Sequence, residues 1–508
     1  MQALAQTAAR AGGELLERSL VLRHGSAFAL ARIRGEVRLL AAPDRGGAGF
    51  EGQVHRLAFE GGEREVVLAA CSPANARALA RAEPAFRPRR LGLATSVGCG
   101  DRLGLATPGQ LRAAREAGVA AVLAQQSIRE MERSARAPEQ VMADAVFGAL
   151  REGDTGGFGS DADHLKTAAD VDSCLAAGFT LFTLDPSEHV DDGADGASPA
   201  ALRHSWEDFD WEAFESRPAD CRGRHLGRPE PLPDGSEVEL DEAALRRALA
   251  KYGRALTHLA ALARHVGAQA AACGQEFELE ISVDETATPT RVEEHLFVVR
   301  ELARLGVEFV SLAPHFVGGF EKGVDYRGDL SLFRSEFARH AALARGLGDY
   351  KLSLHSGSDK FSLYPVCAEL SGDRFHLKTA GTSYLEALRC LAGRCPELFR
   401  EIWDFACDHY ELDRASYHVS ASSAGAPAAT EIEDASLPAL LEEDGPRQIL
   451  HVTFGSVLGA DAAAGTPRFR SRLLEALRER EEEYFEMLHR HFRRHLEAFS
   501  RSAGHSTA

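Results

Sequence analysis

Leu352-Ser353-Leu354-His355-Ser356-Gly357-Ser358-Asp359-Lys360 is the stretch on which the fold turns. A short apolar run ends in a histidine, and a tight polar loop follows at once. Phe309-Val310-Ser311-Leu312-Ala313-Pro314-His315 repeats the layout, and Asp161-Ala162-Asp163-His164 repeats it after a weaker run. A parallel barrel gathers the C-terminal ends of its strands on one face, where its chemistry sits. Three imidazoles delivered to that face can hold one divalent metal and leave room for substrate oxygens.

Outward from these segments the chain has a strand–loop–helix rhythm. Strands are expected to start at Leu91, Ala120, Gly159, Thr180, Phe277, Val307, Tyr350 and Arg374. That is the number a closed parallel barrel needs. The expected fold is α/β: a TIM-like (β/α)8 barrel over 89–465, an N-terminal α+β domain over 1–88, and a C-terminal helix and tail over 466–508. The polar stretch 187–239 breaks the rhythm and reads as an insertion or a partly mobile active-site cover. Leu240–Gly267 reads as a strong amphipathic helix. Ser416–Ser420 and Gln448–Thr453 read as strands of an appended piece, Pro467–Phe499 as one long helix, and Arg501–Ala508 as a frayed end.

With 508 residues, 44% of them hydrophobic, a large core can be buried. The net charge of -18 argues against a nucleic-acid or anionic-membrane binder. It leaves room for an anionic small molecule in a locally basic pocket. The nine cysteines form no CxxC pair, which suits reduced thiols in the cytoplasm. No run approaches the ~20 apolar residues of a membrane span. Oligomeric state cannot be read from the sequence.

Acids accompany the histidines. Asp161 and Asp163 precede His164, and Glu285 lies just beyond the strand at Phe277–Val283. Two carboxylates flanking a substrate can exchange acid and base roles. The same acids could simply cap the helices that follow. Strict alternation also forbids Asp163 and His164 from both facing inward unless the strand has ended. Lys360 and Lys378 could each bind an acidic substrate as a point charge, and a Schiff-base role for Lys378 is a further possibility. Arg102, Gln125, Lys166, Ser358, Lys360 and Lys378 make up the expected substrate-binding set. No GxGxxG or GxxxxGK[ST] loop stands in a strand–helix context, and there is no HExxH.

Several long, ordered motifs resemble the tagaturonate/fructuronate epimerase family. They are Gly100-Asp101-Arg102-Leu103-Gly104-Leu105-Ala106-Thr107-Pro108-Gly109, Ala124-Gln125-Gln126-Ser127-Ile128-Arg129-Glu130, Asp161-Ala162-Asp163-His164-Leu165-Lys166-Thr167, Ser282-Val283-Asp284-Glu285-Thr286, the His355 segment, and His376 through Arg389. The resemblance implies a divalent metal (Zn, Mn, Ni or Co) and a ketouronate substrate. It implies Asp163 as proton acceptor, Glu285 as proton donor, and His164, His315 and His355 as metal ligands. A metal-dependent sugar-acid aldolase and a non-catalytic sugar-acid binding protein are the competing readings.

Overall fold

The structure is a computed structural model that describes residues 1–44, 49–59, 62–464 and 468–500. Six antiparallel strands form the N-terminal sheet: β1 (Gly13–Leu15), β2 (Val21–Arg23), β3 (Ser26–Ile33), β4 (Glu36–Ala42), β5 (Gly52–Phe59) and β6 (Gly62–Ala70). They are ordered β1-β3-β4-β6-β5, with β2 beside β3. β5 and β6 form an antiparallel hairpin, paired from Gly52 with Ala69 to Phe59 with Gly62. One sheet face covers Leu4, Ala29, Leu40 and Val66; Phe28, Leu39 and Val67 face the main core.

The barrel follows: β7 (Ser96–Cys99), β8 (Ala120–Ser127), β9 (Gly159–Leu165) and β10 (Leu181–Leu184), then, after the small hairpin β11 (Glu230–Pro231) and β12 (Glu237–Val238), β13 (Glu278–Val283), β14 (Ser311–Pro314), β15 (Lys351–Leu354) and β16 (Phe375–Thr379). All barrel neighbours pair in parallel, and β16 closes on β7. The eight expected strands are the eight observed, although the first begins at Ser96 rather than Leu91 and the sixth at Ser311 rather than Val307. Residues 91 and 92 turn under the barrel instead, where their amides donate to the Glu278 carboxylate.

The interior is unusually polar for a barrel, whose layers are commonly filled by branched apolar side chains. At the floor, Lys351 Nζ donates to Ser96 Oγ at 2.9 Å, and Ser96 Oγ lies 2.9 Å from His376 Nδ1. One layer up, Lys378 stands among Asp161, Asp163 and Glu280, all buried. The apolar core lies outside, between strands and helices.

Residues 187–239 hold helices Pro199–Glu207 and Pro218–His225, which pack with Phe214 through Trp206 and Cys221, and the β11–β12 hairpin. Three expectations are corrected. Gln448–Thr453 is not a strand, because its apolar run is one face of the helix Asp444–Val452; a short apolar run does not distinguish the two. Ser416–Ser420 forms no named strand. The expected long helix is two, Arg470–Glu479 and Glu481–Leu496, broken at Arg480. The helix expected at Leu240–Gly267 is single but runs from Glu242 to Cys273, with Asp241 as its N-cap. The tail from 501 and the boundary at 465/466 lie outside the described residues.

Candidate active site

Asp163 and His164 reach the same pocket through a bulge. Phe182 of β10 pairs with Ala162 and Leu184 with Leu165, so Asp163 and His164 together oppose Thr183 alone. His164 takes up φ +52, a left-handed backbone that few non-glycine residues adopt. The extra residue re-aims the side chains. Alternation therefore fails where the two functional groups are needed together.

β15 lies on the opposite side of the barrel from β9, and its His355 meets His164 edge to face, ring centroids 5.0 Å apart. Asp163, His164 and His355 bring one ligand atom each within 4.8 Å of the others. His164, Asp185 and Glu285 form a second such group around the same imidazole.

The residues fit a divalent metal because each of the three histidines has one ring nitrogen engaged elsewhere. His164 Nδ1–H donates to Asp185 Oδ2 at 3.0 Å. His355 Nε2–H donates to Glu280 Oε1 at 2.7 Å. His315 Nδ1–H donates to the Thr286 carbonyl at 2.9 Å. Such outer contacts fix the tautomer and leave the other nitrogen as a ligand. His355 Nδ1 is the clearest case: it is buried, has no hydrogen bond, and lies 3.1 Å from Asp284 Oδ1. His315 stands outside the tight group but within the field of Asp284.

The charges point the same way. Burial opposes the His164 imidazolium, yet Asp163 and Asp185 outweigh it and hold the pKa up at about 10. For His355, burial is overcome mainly by Asp284 and Glu280, and the pKa sits at about 9. The acids thus draw positive charge onto two imidazoles, the charge a divalent cation would bring. Asp163 stays ionised, near about 2: burial raises it, but Lys378, His164 and His355 prevail. Burial pushes Asp161 up to about 6.

Two other side-chain groups have metal-like spacing. In one, Glu301 is gripped by Arg224 at 3.0 Å and Arg304 at 2.6 Å. In the other, Arg447 is 2.8 Å from Asp359. A guanidinium in contact with the carboxylate opposes a second cation there, so the barrel mouth is the better site.

The proposed substrate contacts divide. Gln125 Nε2 donates to Asp163 Oδ2 at 2.9 Å, within the cluster. Lys166 lies at the rim, 3.6 Å from Glu285 and 3.7 Å from Asp185. Lys378 is enclosed, within 2.8 Å of three carboxylates. Lys360 is also enclosed: its Nζ donates to the carbonyls of Glu321, Val324 and Ser358. Ser358 is buried in that loop. Arg102 is held by Glu130 at 3.0 Å and by His451.

Asp185, Glu280 and Asp284 were missed as outer partners. Asp185 was legible by the rule that exposed His355: it directly follows an apolar strand. Glu280 follows from alternation with Glu278 and Ser282.

A family model described as tagaturonate epimerase matches residues 16–499. The chain belongs to the tagaturonate epimerase family. A tagaturonate/fructuronate epimerase from Thermotoga maritima is 43% identical over 423 residues, 83% of this chain and 84% of that one. The fructuronate-tagaturonate epimerase UxaE from Cohnella laeviribosi, crystallised with one glycerol, superposes with a TM-score of 0.88 at 34% identity, covering 98% of each chain. Its native structure gives 0.87 at 33%, covering 98% of this chain and 99% of that one. The resemblance seen in the motifs is therefore family membership, and the barrel with its flanking domains is that family's architecture.

Proposed function

We propose that the protein interconverts D-tagaturonate and D-fructuronate at the barrel mouth, with Asp163 as proton acceptor, Glu285 as proton donor, and His164, His315 and His355 as ligands of a divalent metal. The convergence of His164 and His355 from opposite strands, each backed by a carboxylate, carries this reading. The cation would supply Lewis acidity to substrate oxygens.

The inverted carbon is next to neither the ketone nor the carboxylate, so enolisation does not acidify its C–H bond. Its hydroxyl is β to the ketone, which permits a retro-aldol step. Asp163 takes the hydroxyl proton, the bond from the inverted carbon to the carbon next to the ketone breaks, its electron pair passes to the ketone as an enolate, and an aldehyde forms at the inverted carbon. The aldehyde rotates, the bond re-forms on its other face, and Glu285 returns a proton to the new hydroxyl. Gln125 and Lys378 orient Asp163 and keep it anionic. Glu285, 35% exposed between Lys166 and Arg129, exchanges protons with solvent from the rim.

Incubating the metal-loaded protein with D-fructuronate should yield D-tagaturonate as a six-carbon isomer. Release of three-carbon products would make it an aldolase, and absence of turnover would leave a binding protein. Full uptake of solvent deuterium at the inverted carbon, with no trappable fragment, would exclude the retro-aldol route. A cytoplasmic setting is part of the proposal and is supported by nine free cysteines. No helix among the described residues is long and apolar enough to cross a membrane.

A further inference from the structure

We propose that Lys322 binds the substrate's carboxylate at the rim of the barrel, a role that neither Lys360 nor Lys378 is placed to fill. The inference rests on the proposed reaction for the identity of the anion. It stands on an inventory of the cations near the mouth. Lys378 and Lys360 are saturated, by three carboxylates and three carbonyls respectively. Arg102 is paired with Glu130, and Lys166 is ringed by Asp185, Glu188 and Glu285.

Lys322 differs from all of these. Its Nζ donates to Ser356 Oγ at 2.6 Å, and no carboxylate among the described residues lies within 4.0 Å of it. Ser356 directly follows His355 and has φ +51, a turn that brings its hydroxyl and the ammonium beside a proposed metal ligand. Among the described residues Arg129 has one loose ion-pair partner, Glu285 at 3.8 Å, and its guanidinium lies 5.8 Å from the Tyr417 ring centroid. Burial, and then the field of Arg129, press the Lys322 pKa down. An ammonium held by a hydroxyl, with no carboxylate in contact, favours an incoming anion.

The backbone around Lys322 is clamped. The neighbouring Glu321 carboxylate accepts from the Ser420 amide and hydroxyl and from Gln448 Nε2. The Gly323 carbonyl accepts from Arg447 at 2.6 Å. The side chain is thus presented from a fixed base, and less ordering remains to be done on binding. The arrangement also sorts the substrate by charge. The interior is crowded with acids, so a ketouronate turns its hydroxyls inward and its carboxylate outward toward Lys322.

The test compares matched acidic and neutral probes. On the metal-loaded protein, Lys322→Met should weaken binding of D-gluconate, a non-reacting sugar acid, about 10- to 100-fold by calorimetry, the loss typical of a charge-assisted hydrogen bond. Binding of the neutral hexitol sorbitol should change far less. Lys322→Arg should recover most of the gluconate affinity, and metal content and melting temperature verify that the variants are intact. With D-fructuronate the loss should fall on KM more than on kcat. Equal losses for gluconate and sorbitol, or unchanged gluconate affinity, would overturn the inference. If the wild type fails to turn over D-fructuronate, the proposed reaction falls, while the gluconate comparison still decides the anion site.

Discussion

His164 and His355 meet across the barrel with ring centroids 5.0 Å apart, and each is backed by a different buried carboxylate, Asp185 or Glu280. Replacing either histidine with Ala should abolish stoichiometric metal, measured by plasma mass spectrometry, together with turnover. The backing acids act one step removed. Asp185→Asn should keep the site but lower metal affinity about 10- to 100-fold, the usual effect of losing an outer carboxylate. Unchanged affinity in a competition titration would mean that Asp185 serves only the loop amide of Ser187, to which it also bonds.

Lys378 is expected to act on the fold more than on substrate selection. It is the shared counterion of Asp161, Asp163 and Glu280. Removing one partner of a buried ionic cluster costs about 3–5 kcal/mol. Lys378→Met should therefore lower stability by about that amount in urea titrations. Any surviving activity should fall alike for acidic and neutral ketoses, because the lesion lies at Asp163. Preserved stability with a selective loss for acids would restore Lys378 to the carboxylate site.

The barrel was legible because its strands are short, fully buried and punctuated by helices, each keeping apolar residues such as Leu279 and Ile281, Leu352 and Leu354, or Phe375 and Leu377 on its helix-facing side even where the inward side is polar. β9 was the weak case. Its Gly-Ser-Asp-Ala-Asp-His composition is poor in β propensity, and its inward side chains bind Lys378 instead of packing as hydrocarbons. The histidines were legible from their position after strands. The bulge that turns Asp163 and His164 together was not, since it depends on pairing with β10. Nor was the fate of the lysines: Lys360 and Lys378 look available in one dimension, and only tertiary contacts reveal their partners. Lys322 lacks a preceding apolar strand to flag it.

The Ser356–Lys360 loop should couple stability to pH. Asp359, at φ +61, is held by Arg447 and by His491 Nε2 at 2.6 Å. Burial works against the His491 imidazolium, but Glu386 and Asp359 prevail and raise its pKa. Burial likewise opposes the Asp359 anion, while Arg447 and His491 hold it well below the usual carboxylate range. The His491 contribution is complete below the ~6.5 of an unfolded imidazole and is lost as pH rises through the folded value. The Asp359 contribution is complete above ~3.9 and is lost on acidification. The latch is therefore strongest between about pH 4 and 6.5. Melting temperature should decline as pH rises from 6 to 9, and His491→Gln should flatten that decline. An identical slope in the variant would remove His491 from the coupling.

Asp163 and Glu285 each bring a carboxylate oxygen within 4.8 Å of a His164 ring nitrogen, one buried and one at the rim. Their removal should affect proton transfer and leave binding largely intact. Asp163→Asn keeps a group that can accept from Gln125 but can no longer take a proton. Glu285→Gln keeps the size of the side chain between Lys166 and Arg129. Each should lower kcat by about 10²- to 10⁴-fold, the range for general acid–base groups. Bound metal should persist in Glu285→Gln, which leaves all three histidines untouched. The two losses should combine to less than their product if both acids serve one exchange across the substrate. Fully multiplicative losses in the double variant would mean independent roles, and the acid–base pair would have to be abandoned.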